Sequence, residues 1–166
     1  MARLMMVRIA CVVAALAGAG GAAVAEDAAK KEAPKSSTLG EIRKEHGVAG
    51  PDGRASVRIV APAEVVGLQG STVACVLFFE DAAGKPLTSP LAGFNDRAGA
   101  MRAVSADTKV AKDPDGIDFA FLVPYAAFPR SPAGKYQVDV RVRLVLRGAA
   151  GTSLLAETHT RFWVEG

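Results

Sequence analysis

The sequence predicts an all-β protein, an antiparallel β-sandwich of about seven to eight strands behind an export leader and a flexible linker. Three observations predict it. From Ala55 onward, apolar residues recur with a period near two. Ile117–Leu146 holds two long alternating runs joined by a Pro-rich turn, which reads as a strand pair. Gly, Pro and Asp clusters punctuate the chain at short intervals, and no stretch of helical periodicity is long enough to compete.

The first 25 residues read as a secretory signal peptide. Arg3 and Arg8 make a positive start, Ile9–Leu16 is apolar, and Ala23-Val24-Ala25 is a small-x-small cleavage site before Glu26. The competing reading is a membrane anchor, but the apolar run falls short of the roughly 20 residues that span a bilayer. No membrane insertion is expected after cleavage, and the mature protein is expected in the periplasm or outside the cell. Removing Arg3 and Arg8 from the 20 basic residues leaves 18 against 17 acidic ones, a formal +1. The basic character of the whole chain is thus partly a leader effect, and no nucleic-acid partner is implied. Cys11 leaves with the leader. Cys75 remains alone in an apolar run and is expected to be buried rather than bridged.

Residues 26–50 read as a flexible linker. Glu26–Lys35 is Ala, Lys, Glu and Pro, with too few large apolar side chains to pack. Thr38–His46 has the pattern of a short helix: Thr38 as cap, Glu41 three residues on, Leu39 and Ile42 on one face, and Gly47 as stop. Gly50-Pro51-Asp52-Gly53 is a turn, and the sandwich domain is placed at 51–166.

Within the domain, Val57, Ile59 and Ala61 alternate with Ser56 and Arg58 until Pro62, which is expected to end the strand because it cannot donate to a ladder. Ser71–Glu80 is apolar on both faces, the mark of a central, covered strand. Asp81–Pro86 is a turn, Leu87–Phe94 an irregular connection, and Met101–Ser105 a weaker strand. Asp113-Pro114-Asp115-Gly116 is a turn. Ile117, Phe119, Phe121 and Val123 then share a face, and Pro124 ends that strand. Tyr136, Val138, Val140, Val142, Leu144 and Leu146 form the longest alternating run. A turn at Gly148–Gly151 leads to Leu154, Ala156, Thr158, Thr160, Phe162 and Val164 on one face of the last strand.

Four stretches carry a resemblance: Phe78-Phe79-Glu80-Asp81-Ala82-Ala83-Gly84-Lys85-Pro86-Leu87, Phe121-Leu122-Val123-Pro124-Tyr125, Gly134-Lys135-Tyr136, and Leu155-Ala156 with Phe162-Trp163-Val164. In this order they resemble a secreted bacterial β-sandwich module of unknown function, similar to C2-like or immunoglobulin-like sandwiches. The resemblance covers roughly Gly70–Glu165. It implies a fold and leaves activity open.

Little here points to catalysis. Gly-x-Ser-x-Gly, His-Glu-x-x-His, the Walker loop and Cys-x-x-Cys do not occur. An enzyme reading would need His159 with an unplaced Ser and Asp, so the expected class is a non-catalytic binding or structural module whose partner is another envelope or secreted protein, with a Ca²⁺-assisted or basic-face glycan- or lipid-binding module as the alternative.

Two candidate sites remain. Asp113, Asp115 and Asp118 place three carboxylates in six residues, a loop that could hold Ca²⁺. The alternative is a plain turn in which Asp113 bonds its own backbone and Gly116 takes a positive φ. The other candidate is the outer face of the last two long strands. If Phe162 and Val164 point inward, Glu157, His159, Arg161 and Trp163 point outward beside Arg141 and Arg143, with arginine over tryptophan as a favourable contact. Such a face suits an acidic sugar, a phosphate-bearing polymer or a protein, against the alternative of a charged surface that keeps a sheet soluble. Tyr125, after Pro124, is expected to be a corner with its hydroxyl tied to backbone.

Overall fold

The computed structural model describes residues 35–132 and 134–165. Among these residues nine strands follow in chain order: β1 Ser36–Leu39, β2 Arg43–Ala49, β3 Ala55–Val66, β4 Thr72–Glu80, β5 Arg102–Val104, β6 Thr108–Lys109, β7 Asp115–Pro124, β8 Lys135–Gly148 and β9 Gly151–Glu165. Helical structure among the described residues is limited to single 3₁₀ turns at Ala92–Phe94 and Tyr125–Ala127. All strand pairs are antiparallel and fall into two sheets, as the alternation predicted.

In the first sheet β3 is central. β7 lies along one side of it, and β1 and β2 follow one another along the other, β1 against Ala63–Val66 and β2 against Ala55–Val60. They act as one edge strand broken at Gly40–Ile42. The second sheet repeats the device. β5 and β6 pair with successive parts of β4, broken at Ser105–Asp107, and β8 and β9 complete the order. Three ribbons thus face four. Their inner faces meet in one core that includes Val57, Ile59, Cys75, Leu77, Phe79, Met101, Val138, Val140 and Val142. Phe79 and Phe162 each meet Phe128 edge-on, at 5.6 and 5.8 Å between ring centroids.

Four expectations are corrected. Of the segment read as linker and short helix, Ser36–Leu39 and Arg43–Ala49 are strand, so that among the described residues the first sheet already includes Ser36 rather than starting at residue 51; the leader at 1–25 and the stretch 26–34 lie outside the described residues. A short, weakly capped helix gives way because the long edge of β3 offers ladder hydrogen bonds and the core takes Ile42. Pro62 does not end β3. Its carbonyl accepts from Gly40 N at 2.8 Å, so its backbone polar side faces the break between β1 and β2, where no ladder donor is needed, while its other side stays packed along β7. Leu154 points outward instead of inward. Leu144 pairs with Ala156 and Val145 with Leu154, so Leu155 is an extra residue, and that bulge inverts the alternation before it. Gly116 lies within β7, and its φ is not positive.

Candidate functional site

The outer face of the second sheet is a set of cross-strand rows. Strand pairing puts Arg102, Phe78, Arg141 and His159 side by side across β5, β4, β8 and β9. The next row is Val104, Val76, Arg143 and Glu157, followed by Ala74, Val145 and Leu154 across the last three of these strands. On the other side of the arginine row stand Glu80, Asp139 and Arg161, then Gln137 and Trp163. The outward set read from the alternation of β8 and β9 lies on this face, with His159 opposite Arg141.

Its chemistry differs from expectation in one respect. Arg141 and Arg143 do not lie over Trp163; both guanidinium carbons sit 5.3 Å from the centre of the Phe78 ring. Trp163 is two rows away from Arg141 and takes Lys135 at 5.8 Å instead. The reason is register: Phe78 is directly opposite Arg141, whereas Trp163 is opposite Gln137. The charges are paired. Arg141 meets Glu80 at 2.6 Å, Arg143 binds Glu157, and Arg161 meets Asp139 at 3.4 Å. The Arg143 guanidinium, as hydrogen-bond donor, is the main cause holding the Glu157 carboxyl below its ordinary range. His159 stands 3.4 Å from the same carboxylate. The enclosed Nε of Arg141 finds no acceptor among the described residues.

Ala74, Val76 and Val145 form a small apolar cluster on this outer face, with Phe78 packed against it. β4 was expected to be covered on both sides, and it is. On the outer side arginine side chains laid over Phe78 do part of the covering. The large apolar side chains left exposed among the described residues are Val104 (43%), Leu154 (55%) and Trp163 (55%), and all three belong to this sheet.

The three aspartates of the candidate metal loop are not brought together. Asp113 Oδ1 accepts from Gly67 N at 2.8 Å, Asp115 Oδ2 from Ala111 N at 2.7 Å, and Asp118 pairs with Arg43 at 2.7 Å. Among the described residues no three His, Cys, Asp or Glu side chains are grouped to hold a metal ion. The chain bends at Lys112–Pro114, but Asp115 and Gly116 of the expected turn already belong to β7, and Asp113 ties the bend to the β3–β4 connection rather than to its own backbone.

A second site was not foreseen. A groove of about 810 Å³ opens where β2 and β9, edge strands of the two sheets, pass each other, and its lining includes Lys44, His46, Tyr125, Lys135, Arg161 and Trp163. Lys44 and His46 pair with the buried Ile59 and Val57, so they share the inner face of their sheet. Lys44 Nζ bridges the seam by donating to Thr160 Oγ1 at 2.8 Å and to Arg161 O at 3.0 Å. His46 Nδ1 and Tyr125 Oη share a 2.7 Å hydrogen bond, and the His46 ring meets Phe162 edge-on at 5.6 Å. Tyr125 is thus tied to a side chain, not to backbone. The backbone-tied hydroxyl is that of Tyr136, which donates to Pro129 O at 2.6 Å and whose pKa burial pushes up. The missed signal was the alternation of Ile42, Lys44 and His46, which is hidden when the segment is taken as linker.

A scan against protein-family models and a search of curated proteins find no match. Among solved structures the chain is similar to one described as "X-ray structure of Northeast Structural Genomics Consortium target SoR45", with 10% identity, 79% of this chain and 87% of that chain covered, and a TM-score of 0.27. A likeness at that score carries no argument.

Proposed function

We propose that this chain is a non-catalytic exported β-sandwich that binds another envelope or secreted protein through the outer face of its second sheet. The observation that carries the reading is the placement of Val104 and Leu154, both exposed, around the Ala74–Val76–Val145 cluster and the arginine-clasped Phe78. An apolar centre with aromatic and arginine side chains inside a rim of paired charges is the anatomy of a protein interface. Arg141, Arg143 and His159 belong to this face, and Arg161 and Trp163 lie at its end beside the groove. The leader-like start supports export, and the likeness to secreted C2-like or immunoglobulin-like modules belongs to the same proposal. The histidines support a non-catalytic role: one is held by a phenol and the other stands beside a carboxylate already bound to arginine.

Crosslinking capture from the exported fraction tests it, comparing the protein with a Val104→Asp/Leu154→Asp variant of unchanged melting temperature. A discrete exported protein captured by the first and lost by the second is expected. Equal capture by both, or none by either, would refute the assignment of the face.

A further inference from the structure

We infer that the groove between β2 and β9 is a separate binding site for a carboxylate-bearing sugar, with Trp163 as the stacking plate. The sandwich does not require what the groove contains. An inner-face position of an edge strand is ordinarily filled by an apolar side chain closing the seam, yet Lys44 and His46 stand there opposite Ile59 and Val57. Lys44 is explained in part by its bonds across the seam. An ammonium has three donors and these bonds use two, so one remains for a ligand.

The geometry selects the chemistry. Trp163 is 55% exposed, so much of the indole is open to solvent, and Tyr125 is held in place by its bond to His46. A pyranose ring presents an apolar C–H face of that size and needs such a plate. Lys44, Lys135 and Arg161 supply cations from three different strands, against Glu165 as the one carboxylate in the lining. Lys135 stands 5.8 Å from the Trp163 ring centre, close enough for one ligand to touch both. The Arg161 side chain is 73% exposed and uses its Nε toward Asp139, which leaves its terminal nitrogens as a planar fork for a carboxylate. Cations gathered around one aromatic plate fit a compact anion with an apolar face. A linear acidic peptide would be matched better by cations in a row along one strand.

Trp163 is the chain's single tryptophan, so its fluorescence reports the site directly. The full-length protein is titrated with tri-galacturonate, with its methyl ester and with a hexaglutamate peptide. A saturable change is expected with tri-galacturonate alone. It should weaken with added salt and weaken up to about five-fold in Lys135→Ala, the loss of one exposed charge contact. Binding measured by heat should disappear in Trp163→Ala and persist in Val104→Asp/Leu154→Asp, which separates this site from the protein-binding face. No response to tri-galacturonate, an equal response to the ester, an equal or stronger one to hexaglutamate, or heat of binding unchanged in Trp163→Ala would each overturn the inference.

Discussion

At the scale of single residues, burial and pairing decide behaviour that side-chain type alone does not. Cys75 is fully enclosed, and burial pushes its thiol up to about 12 against the partial relief of a hydrogen bond from the Val76 backbone. The thiolate is the reactive form, so Cys75 is expected to resist maleimide in the native protein and to label on unfolding; fast native labelling would contradict its burial. The folded state holds that proton more tightly than the unfolded one. The resulting stability is fully present below the ordinary thiol range and is lost as pH rises toward about 12. Glu157 has the opposite sign. Its lowered pKa gives stability above the ordinary carboxylate range that is lost as pH falls through the depressed value. Arg143→Ala should move the Glu157 titration upward when followed by carboxyl chemical shifts, and no movement would show that Arg143 is not the cause. The burial of Cys75 was legible from its apolar neighbours. The partners of Arg141 were not, because a cross-strand neighbour depends on register, which no local pattern encodes, and that of Tyr125 was not, because its 3₁₀ turn meets His46 across the fold.

At the scale of elements, the long alternating strands were legible as strands, though not the run of β3 past Pro62 or the bulge in β9, and the broken edges were not legible. β8 announces itself through long alternation, and β9 does so from Ala156 onward, with a two-residue Ala149–Ala150 turn between the paired Gly148 and Gly151. β1 and β2 are harder. Each is short, the break between them disrupts the period, and Leu39 and Ile42 also fit a helical turn. Gly47, with φ of 73°, adds a bulge between His46 and Val48 that interrupts the pattern again. The consequence is measurable. Ile42 is 8% exposed and joins the core, so Ile42→Ala should lower stability by about 2–4 kcal/mol in denaturant unfolding. A flexible linker would show no change.

At the scale of the whole molecule, the two sheets divide the work. The inner faces supply a continuous core, with aromatic rings bridging β4, β9 and the loop at Phe128. The outer face of the second sheet keeps apolar groups under arginines, and the open seam at β2 and β9 gathers cations around an exposed indole. The sandwich class and the outward set on β8 and β9 followed from sequence. The groove did not, since its walls come from segments far apart in the chain, Lys44 and His46 on one side and Arg161 and Trp163 on the other.

The most direct test of the protein-binding face is site-specific photo-crosslinking in cells that export the protein, with a benzophenone amino acid replacing Leu154 in one variant and Asp52 in another. Leu154 lies on the outer face of the second sheet; Asp52 lies in the exposed turn between β2 and β3. A discrete crosslinked exported protein from the Leu154 position and none from Asp52 is the predicted result. Crosslinks of equal yield from both positions, or none from Leu154, would contradict the proposed interface.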